Sequence, residues 1–187
     1  MMDHKDLHTI ETETWHAIEA ACTGPRTPLT WFSMATVSAN GRPQQRTVVL
    51  RDADANARRL VLFTDIRTPK VAELTTNPNV ACLFLDSEVM LQYRIEGTAS
   101  ILESGDIWQS YWNKLSENGK RDYASLGVPG ETTDSETAYD TNLAKANFAV
   151  IEITCETLDW LKLARGGHKR VQFDWRSDKP TVNQVTP

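Results

Sequence analysis

The residues with the strongest claim to chemistry fall in four short stretches. The first, Arg46-Thr47-Val48-Val49-Leu50-Arg51, sets two guanidiniums at the ends of an apolar run. On a strand their odd separation sends them to opposite faces, and taken alone they read as surface charges at strand ends. The second, Phe63-Thr64-Asp65-Ile66-Arg67-Thr68-Pro69-Lys70, runs out of a strand into a helix start. A helix N-terminus carries free N–H groups and partial positive charge, so Arg67 and Lys70 stand where cations oppose the macrodipole. An anion resolves that conflict, because the N–H groups and the cations can both bind phosphate oxygens. The third is Gln92, an amide on an otherwise core-like strand, able to donate to and accept from a flat heteroaromatic edge. The fourth is Trp160 followed by Arg165-Gly166-Gly167-His168-Lys169-Arg170. Here an aromatic face that can pack on a ring precedes a glycine turn with basic flanks, which reads equally well as a basic hairpin tip.

Other reactive residue types add little. His4, His8 and His16 lie near the N-terminus without an HExxH glutamate or a carboxylate ligand pattern, so no metal is expected. Cys22, Cys82 and Cys155 are odd in number and form no CxxC; they read as small buried hydrophobes, reduced in a cytoplasmic protein.

The elements that must position these residues follow from periodicity. Ile10, Trp15, Ile18 and Cys22 have helical spacing, placing an N-terminal helix within residues 1–24 that ends at Gly24-Pro25. TWFSMATVS and QRTVVLRDA read as strands joined through Asn40-Gly41, a strong hairpin signal, with Pro43 opening the second. LVLFTD is a third strand. A short helix then begins with Thr68 as cap and Pro69 in its first turn, and stops at Asn77-Pro78. VACLFLD is nearly all apolar, predicting burial on both faces. In MLQYRIEGTASIL, Leu91, Tyr93, Ile95 and Gly97 share the core face, and Gln92, Arg94 and Glu96 the other. Residues 104–117 predict a helix with Ile107, Trp108, Tyr111, Trp112 and Leu115 on one stripe. Residues 117–145 read as a mobile loop with a short helix, a candidate lid. FAVIEITCE, LDWLKL and RVQFDW are the closing strands. The sum is mainly β with peripheral helices: six to eight short antiparallel strands forming a barrel, in one domain spanning 1–187.

Bulk properties narrow the function. A net charge of −5 argues against a broad nucleic-acid surface while leaving room for a local anion site. No apolar run reaches membrane-spanning length, and residues 1–6 have no signal-peptide character, so the expected location is the cytoplasm.

Together, RTVVLR, FTDxRTxK, the Gln of LQYRIEG, Trp160 ten residues before Arg170, and the ending WRSDKPTVNQVTP resemble, in order and spacing, the motifs of the pyridoxamine 5′-phosphate oxidase family, and in particular a divergent, oxidase-related branch of it. The resemblance implies an FMN-binding split β-barrel, assembled as a homodimer with FMN at the interface. It implies that Arg46 and Lys70 hold the FMN phosphate, assisted by Arg67 and Thr68, and that the backbone from Thr47 and Val48 through Val49 and Leu50 to Arg51 lies along the isoalloxazine. Phe63 and Thr64 would touch the ring or ribityl chain; Gln92, Trp160 and Arg170 would complete the site, at least partly from the partner subunit. Arg51, Tyr111, Arg165 and His168 are the candidates for contact with a small-molecule substrate, phosphorylated or not. At the substrate end the chain departs from the pattern. Arg51 replaces a lysine, Thr68-Pro69-Lys70 replaces Ser-Arg-Lys, Gly166 stands where an arginine is expected, and Leu115 replaces a substrate-phosphate arginine. The expected activity is hydride transfer from a small substrate to FMN. The alternative is a non-catalytic binder of flavin or haem on the same barrel.

Overall fold

In the computed structural model the described residues are 4–134 and 136–187. Helix α1 (His4–Thr23) leads through a single 3-10 turn into β1 (Trp31–Val37), β2 (Pro43–Asp54) and β3 (Arg59–Asp65). Helix α2 (Pro69–Thr76) precedes β4 (Asn79–Asp86) and β5 (Leu91–Leu102). Then come α3 (Asp106–Lys114), α4 (Glu117–Arg121), α5 (Ala144–Asn147), β6 (Phe148–Lys162), β7 (Lys169–Asp174) and β8 (Thr181–Val185). All pairings are antiparallel, in the order β3-β2-β1-β4-β5-β6-β7-β8, and β3 also pairs with β6. That last pairing closes six strands into a barrel and leaves β7 and β8 as an extension beyond β6.

The hairpin chemistry read from the sequence is present. Gly41 has φ 78°, and Ser38 N–H donates to the Arg42 carbonyl at 2.9 Å. Pro43 opens β2, where its missing N–H breaks no ladder bond. The barrel interior is filled by Phe32, Met34, Leu60, Leu62, Phe84, Ile95, Ile151, Ile153 and Leu158, with α1 contributing Ile18 and Trp15. A second cluster under α3 packs Trp108, Tyr111 and Tyr123 around Phe148. The three cysteines are free, and burial is the main force pushing the Cys22 and Cys155 thiols up to about 12. They are therefore poor nucleophiles. Among the described residues no helix is long and apolar enough to cross a membrane, and no cluster of metal-ligating side chains occurs.

Several expectations are corrected. Strand β4 is buried on one face only: Val80, Cys82 and Phe84 point inward while Ala81 and Leu85 are exposed, because β4 lies in the barrel wall with a single core-facing side. FAVIEITCE and LDWLKL are one 15-residue strand, continued past a register shift opposite Glu96 and Gly97. The predicted 104–117 helix is shorter, starting after Gly105 (φ 93°), and Ile107 is exposed rather than part of the buried stripe. Thr68 sits at the N-cap of α2 but does not cap it, since its hydroxyl bonds elsewhere. Residues 117–145 contain α4, the start of α5 and a Ser125–Tyr139 bridge; Ser135 lies outside the described residues. Strand β8 was not legible in its polar sequence.

Candidate functional site

Strands β2 and β3 do not run together along their full length. Their ladder begins at Leu50–Leu62 and continues to Asp54–Arg59, with Arg51 left over as a bulge. Upstream of Leu50, β2 stays with β1, from Pro43 to Val49. Phe63, Thr64 and Asp65 stay with β6. A split therefore opens between the Arg46–Val49 backbone and the Phe63–Thr64 segment, and among the described residues no strand occupies the β3 side of β2 there. Unpaired backbone N–H and C=O groups along such an edge can read the edge of a planar heterocycle.

At the end of this split, β3 turns into α2, and the Thr64, Thr68 and Lys70 side chains meet, with Arg46 near enough for its charge to act on Lys70. Lys70 Nζ donates to Thr64 Oγ1 at 3.0 Å, and Thr64 and Thr68 hydroxyls share a hydrogen bond at 3.2 Å. Thr68 Oγ1 also donates to the Asp65 carbonyl at 2.7 Å, which draws it off the helix end. Arg46, reaching across from β2, donates from one terminal nitrogen to Thr36 and from the other to Glu73 Oε2 at 2.9 Å. Burial holds the Lys70 amine below the ordinary lysine range, and the Arg46 charge lowers it further, against the opposing pull of Asp65 and Glu73. Two cations that repel each other thus stand beside an uncapped helix N-terminus, a combination that can bind an anion.

Arg67 is placed differently. It grips Asp65 with Nε at 3.0 Å and a terminal nitrogen at 2.6 Å, and that same nitrogen donates to the Ser125 carbonyl at 2.9 Å. The hydrogen bond it donates to Asp65 is the main reason its pKa is raised. Its charge is largely answered within the turn. Arg51, the bulge residue, is exposed and stands 5.6 Å from the centroid of the Phe63 ring. Thr47 and Val49 face outward, while Val48 and Leu50 pack against the core. Tyr111 is buried, and its hydroxyl donates to Asp52 Oδ2 at 2.7 Å. Burial chiefly, then this bond, pushes its pKa above the ordinary tyrosine range.

The remaining candidates lie on β5, β6 and β7. Gln92, Leu161 and Arg170 are directly opposite one another and share the outer face of the sheet, next to the exposed Leu85. Trp160 pairs with Tyr93 and Val171 on the other face and packs against the core beneath α1, lining a cleft of about 410 Å³ with Glu13, Tyr93 and Lys169. Arg170 is held by Asp159 through Nε at 2.9 Å and a terminal nitrogen at 2.6 Å, and Gln172 and Arg94 bond the same carboxylate. Burial alone would raise the Asp159 pKa; the bonds from Arg170 and Gln172, with the Arg94 charge, outweigh it and hold the group ionised below its usual range. His168 and Arg165 are exposed in the β6–β7 turn, where His168 Nδ1 accepts the Ala164 N–H at 3.2 Å. Among the described residues no hydrogen bond or ion pair joins Gln92, Trp160 or Arg170 to Arg46 or Lys70. Within one chain, then, Arg46, Thr64, Thr68 and Lys70 come together and the distal group does not. Sequence reasoning missed Thr36, Glu73 and Asp159. The one available signal for Glu73 was its position three residues after Lys70, on the same side of a short helix.

Residues 12–103 match the family described as pyridoxamine 5′-phosphate oxidase, FMN-binding domain. A pyridoxine/pyridoxamine 5′-phosphate oxidase of Microcystis aeruginosa is 41% identical over 81 residues, which are 43% of this chain and 37% of that protein. A second such oxidase, from Arabidopsis thaliana, is 32% identical over 95 residues, 51% of this chain and 46% of that protein. The match thus spans less than half the length of either relative. Among solved structures, an oxidase-related FMN-binding protein from Nostoc punctiforme superposes with a TM-score of 0.74 at 20% identity, covering 100% of this chain and 99% of its own. PhzG from Burkholderia lata, solved with tetrahydrophenazine-1-carboxylic acid, gives 0.74 at 18% identity, covering 96% and 92%. Residues 12–103 thus match the pyridoxamine 5′-phosphate oxidase FMN-binding family, and over its whole length the chain has the split-barrel fold of these solved structures.

Proposed function

We propose that this chain binds FMN and serves as a flavin-dependent oxidoreductase acting on a small molecule, as a homodimer. The observation that carries the reading is the convergence of Arg46, Lys70, Thr64 and Thr68 on the uncapped start of α2, at the end of the β2–β3 split. A phosphate there relieves the repulsion between Arg46 and Lys70 and accepts bonds from both, with the threonine hydroxyls beside them. The split suits a flat ring running from that phosphate toward Phe63 and the Arg51 bulge. FMN, when bound, supplies hydride-accepting chemistry that no side chain in the site possesses. The chain's part is to anchor the phosphate, orient the ring along the open β2 edge, and present Arg51 to an anionic substrate. Arg67 contributes by fixing the β3–α2 turn through Asp65.

The dimer reading rests on the outer face of β1, β4 and β6, where Trp31, Leu83, Leu85 and Leu161 form an apolar row beside Gln92 and Arg170. Pairing two such faces covers that row and brings the distal candidates of one chain toward the split of the other.

The test is to titrate purified protein with FMN, then add pyridoxine or pyridoxamine 5′-phosphate without oxygen and follow the flavin absorbance. Rapid bleaching identifies a vitamin B6 phosphate oxidase. A stable yellow complex identifies an FMN protein with another substrate or none. Failure to hold FMN overturns the reading.

A further inference from the structure

Arg46 is not free to move. Its two terminal nitrogens are both occupied, one by the Thr36 hydroxyl and one by Glu73 Oε2. The anchors are themselves joined, since Thr36 Oγ1 donates to the same Glu73 oxygen at 2.5 Å. Both are well shielded: Thr36 is 1% exposed and the Glu73 side chain 11%, while the Arg46 side chain is 23% exposed. They come from different elements. Thr36 is near the end of β1, Arg46 is on the neighbouring strand, and Glu73 is one turn inside α2. Among the described residues the Arg46 Nε–H has no hydrogen-bond partner. A guanidinium has five donors in a rigid fork. With one N–H of each terminal nitrogen tied to Thr36 and Glu73, the Nε–H and the second terminal N–H beside it form the edge left to face an oxyanion.

For stability alone the arrangement is odd. A carboxylate beside two cations is expected, but Glu73 bonds Arg46 alone, while Lys70 turns to Thr64. The pair is thus asymmetric: Arg46 is held by two partners on different elements, while Lys70 donates to Thr64. We infer that Glu73 is a positioning residue for phosphate recognition, holding Arg46 through its outer nitrogens so that the Nε edge meets the phosphate of the flavin. This rests on the FMN reading above and assigns Glu73 no contact with the phosphate itself. The benefit is pre-organisation: an arginine already fixed loses less side-chain freedom on binding. The negative charge has a cost, since it weakens the local positive potential. The inference is that alignment outweighs that cost.

The experiment compares FMN with riboflavin, which lacks the phosphate, by flavin fluorescence titration of the full chain. Riboflavin affinity reports whether the split is intact; the ratio of FMN to riboflavin affinity reports phosphate recognition. Glu73→Ala is expected to lower that ratio about tenfold, the scale of one misaligned charge-assisted hydrogen bond. Glu73→Gln, which keeps an acceptor for Arg46, should recover most of it. Thr36→Val removes the other anchor and should lower the ratio in the same direction, which keeps the idea testable if Glu73→Ala fails to fold. An unchanged or increased ratio in Glu73→Ala, with Arg46→Ala still losing FMN, overturns the inference and leaves the FMN reading intact. Wild-type protein that binds FMN no better than riboflavin overturns the reading on which it rests.

Discussion

The Tyr111 hydroxyl donates to Asp52 Oδ2 at 2.7 Å, and so ties α3 to the residue that follows the Arg51 bulge. The bulge inserts one residue into β2 and turns Arg51 out over Phe63. Tyr111→Phe keeps the ring that packs against Phe63 and removes only the bond. It is expected to cost about 1–2 kcal/mol, because Asp52 loses a partner in a half-buried place. Urea unfolding measures this; a change below about 0.3 kcal/mol would show that the bulge does not depend on Tyr111.

Lys70 gives a pH signature. Its pKa in the free protein is lowered, by burial first and the Arg46 charge second. A bound phosphate favours the charged amine and raises that pKa, so binding draws in a proton. FMN affinity should therefore be full below the lowered value and fall as pH rises through it. The fall therefore begins below the ordinary lysine range. Titrations across that fall should show the slope in wild type and lose it in Lys70→Arg. Equal slopes in both would remove Lys70 from phosphate binding.

The apolar row on the outer face makes its own prediction. Leu85 is 51% exposed in the single chain and lies directly opposite Gln92. Leu85→Glu should convert a dimer to a monomer in light scattering and weaken FMN retention at the same time. A monomeric wild type that binds FMN fully would remove the partner subunit from the site.

Gly97 sits where β5 crosses the irregularity in β6. A Cβ there would lie 2.2 Å from the Thr154 carbonyl oxygen and 3.2 Å from the Cys155 Cα, both backbone atoms that cannot rotate away. Gly97→Ala should cost about 3 kcal/mol, read from the midpoint of denaturant unfolding. An alanine variant as stable as wild type would mean that β6 can slide.

The elements that carry their own local signal were readable from the sequence. Asn40-Gly41 gave the first hairpin, Pro43 marked the start of β2, and the alternation of Leu91 to Gly97 assigned the two faces of β5 correctly. The proximal cluster was readable for the same reason, because Thr64, Thr68 and Lys70 are close in the chain and cross one strand-to-helix junction. What depends on partners far along the chain was not. The continuity of β6 is hidden because Glu156 and Thr157 break the apolar alternation where the strand bulges against Gly97. The apolar run of β4 suggested two buried faces because composition does not reveal whether a second layer or another chain covers the outer one. The link between Thr36 and Glu73 gave no sign, since they meet only through the fold, 37 residues apart. β8 is polar and exposed, and is a strand only because β7 offers it an edge.

The pairing of β3 with β6 has a consequence for how this chain comes into being. Arg59 and Glu152, ion-paired at 2.9 Å in that seam, are 93 residues apart. The stretch that matches the family, 12–103, holds β1 to β5 and ends before the strand that seals them. A nascent chain leaving the ribosome must therefore carry both unpaired edges, β3 and β5, until β6 has emerged. Such edges invite pairing with other chains, and contacts this distant in sequence form slowly. The segment most recognisable in sequence is thus not a separable module: expressed alone it should aggregate, and adding the chain through Lys162 should make it soluble.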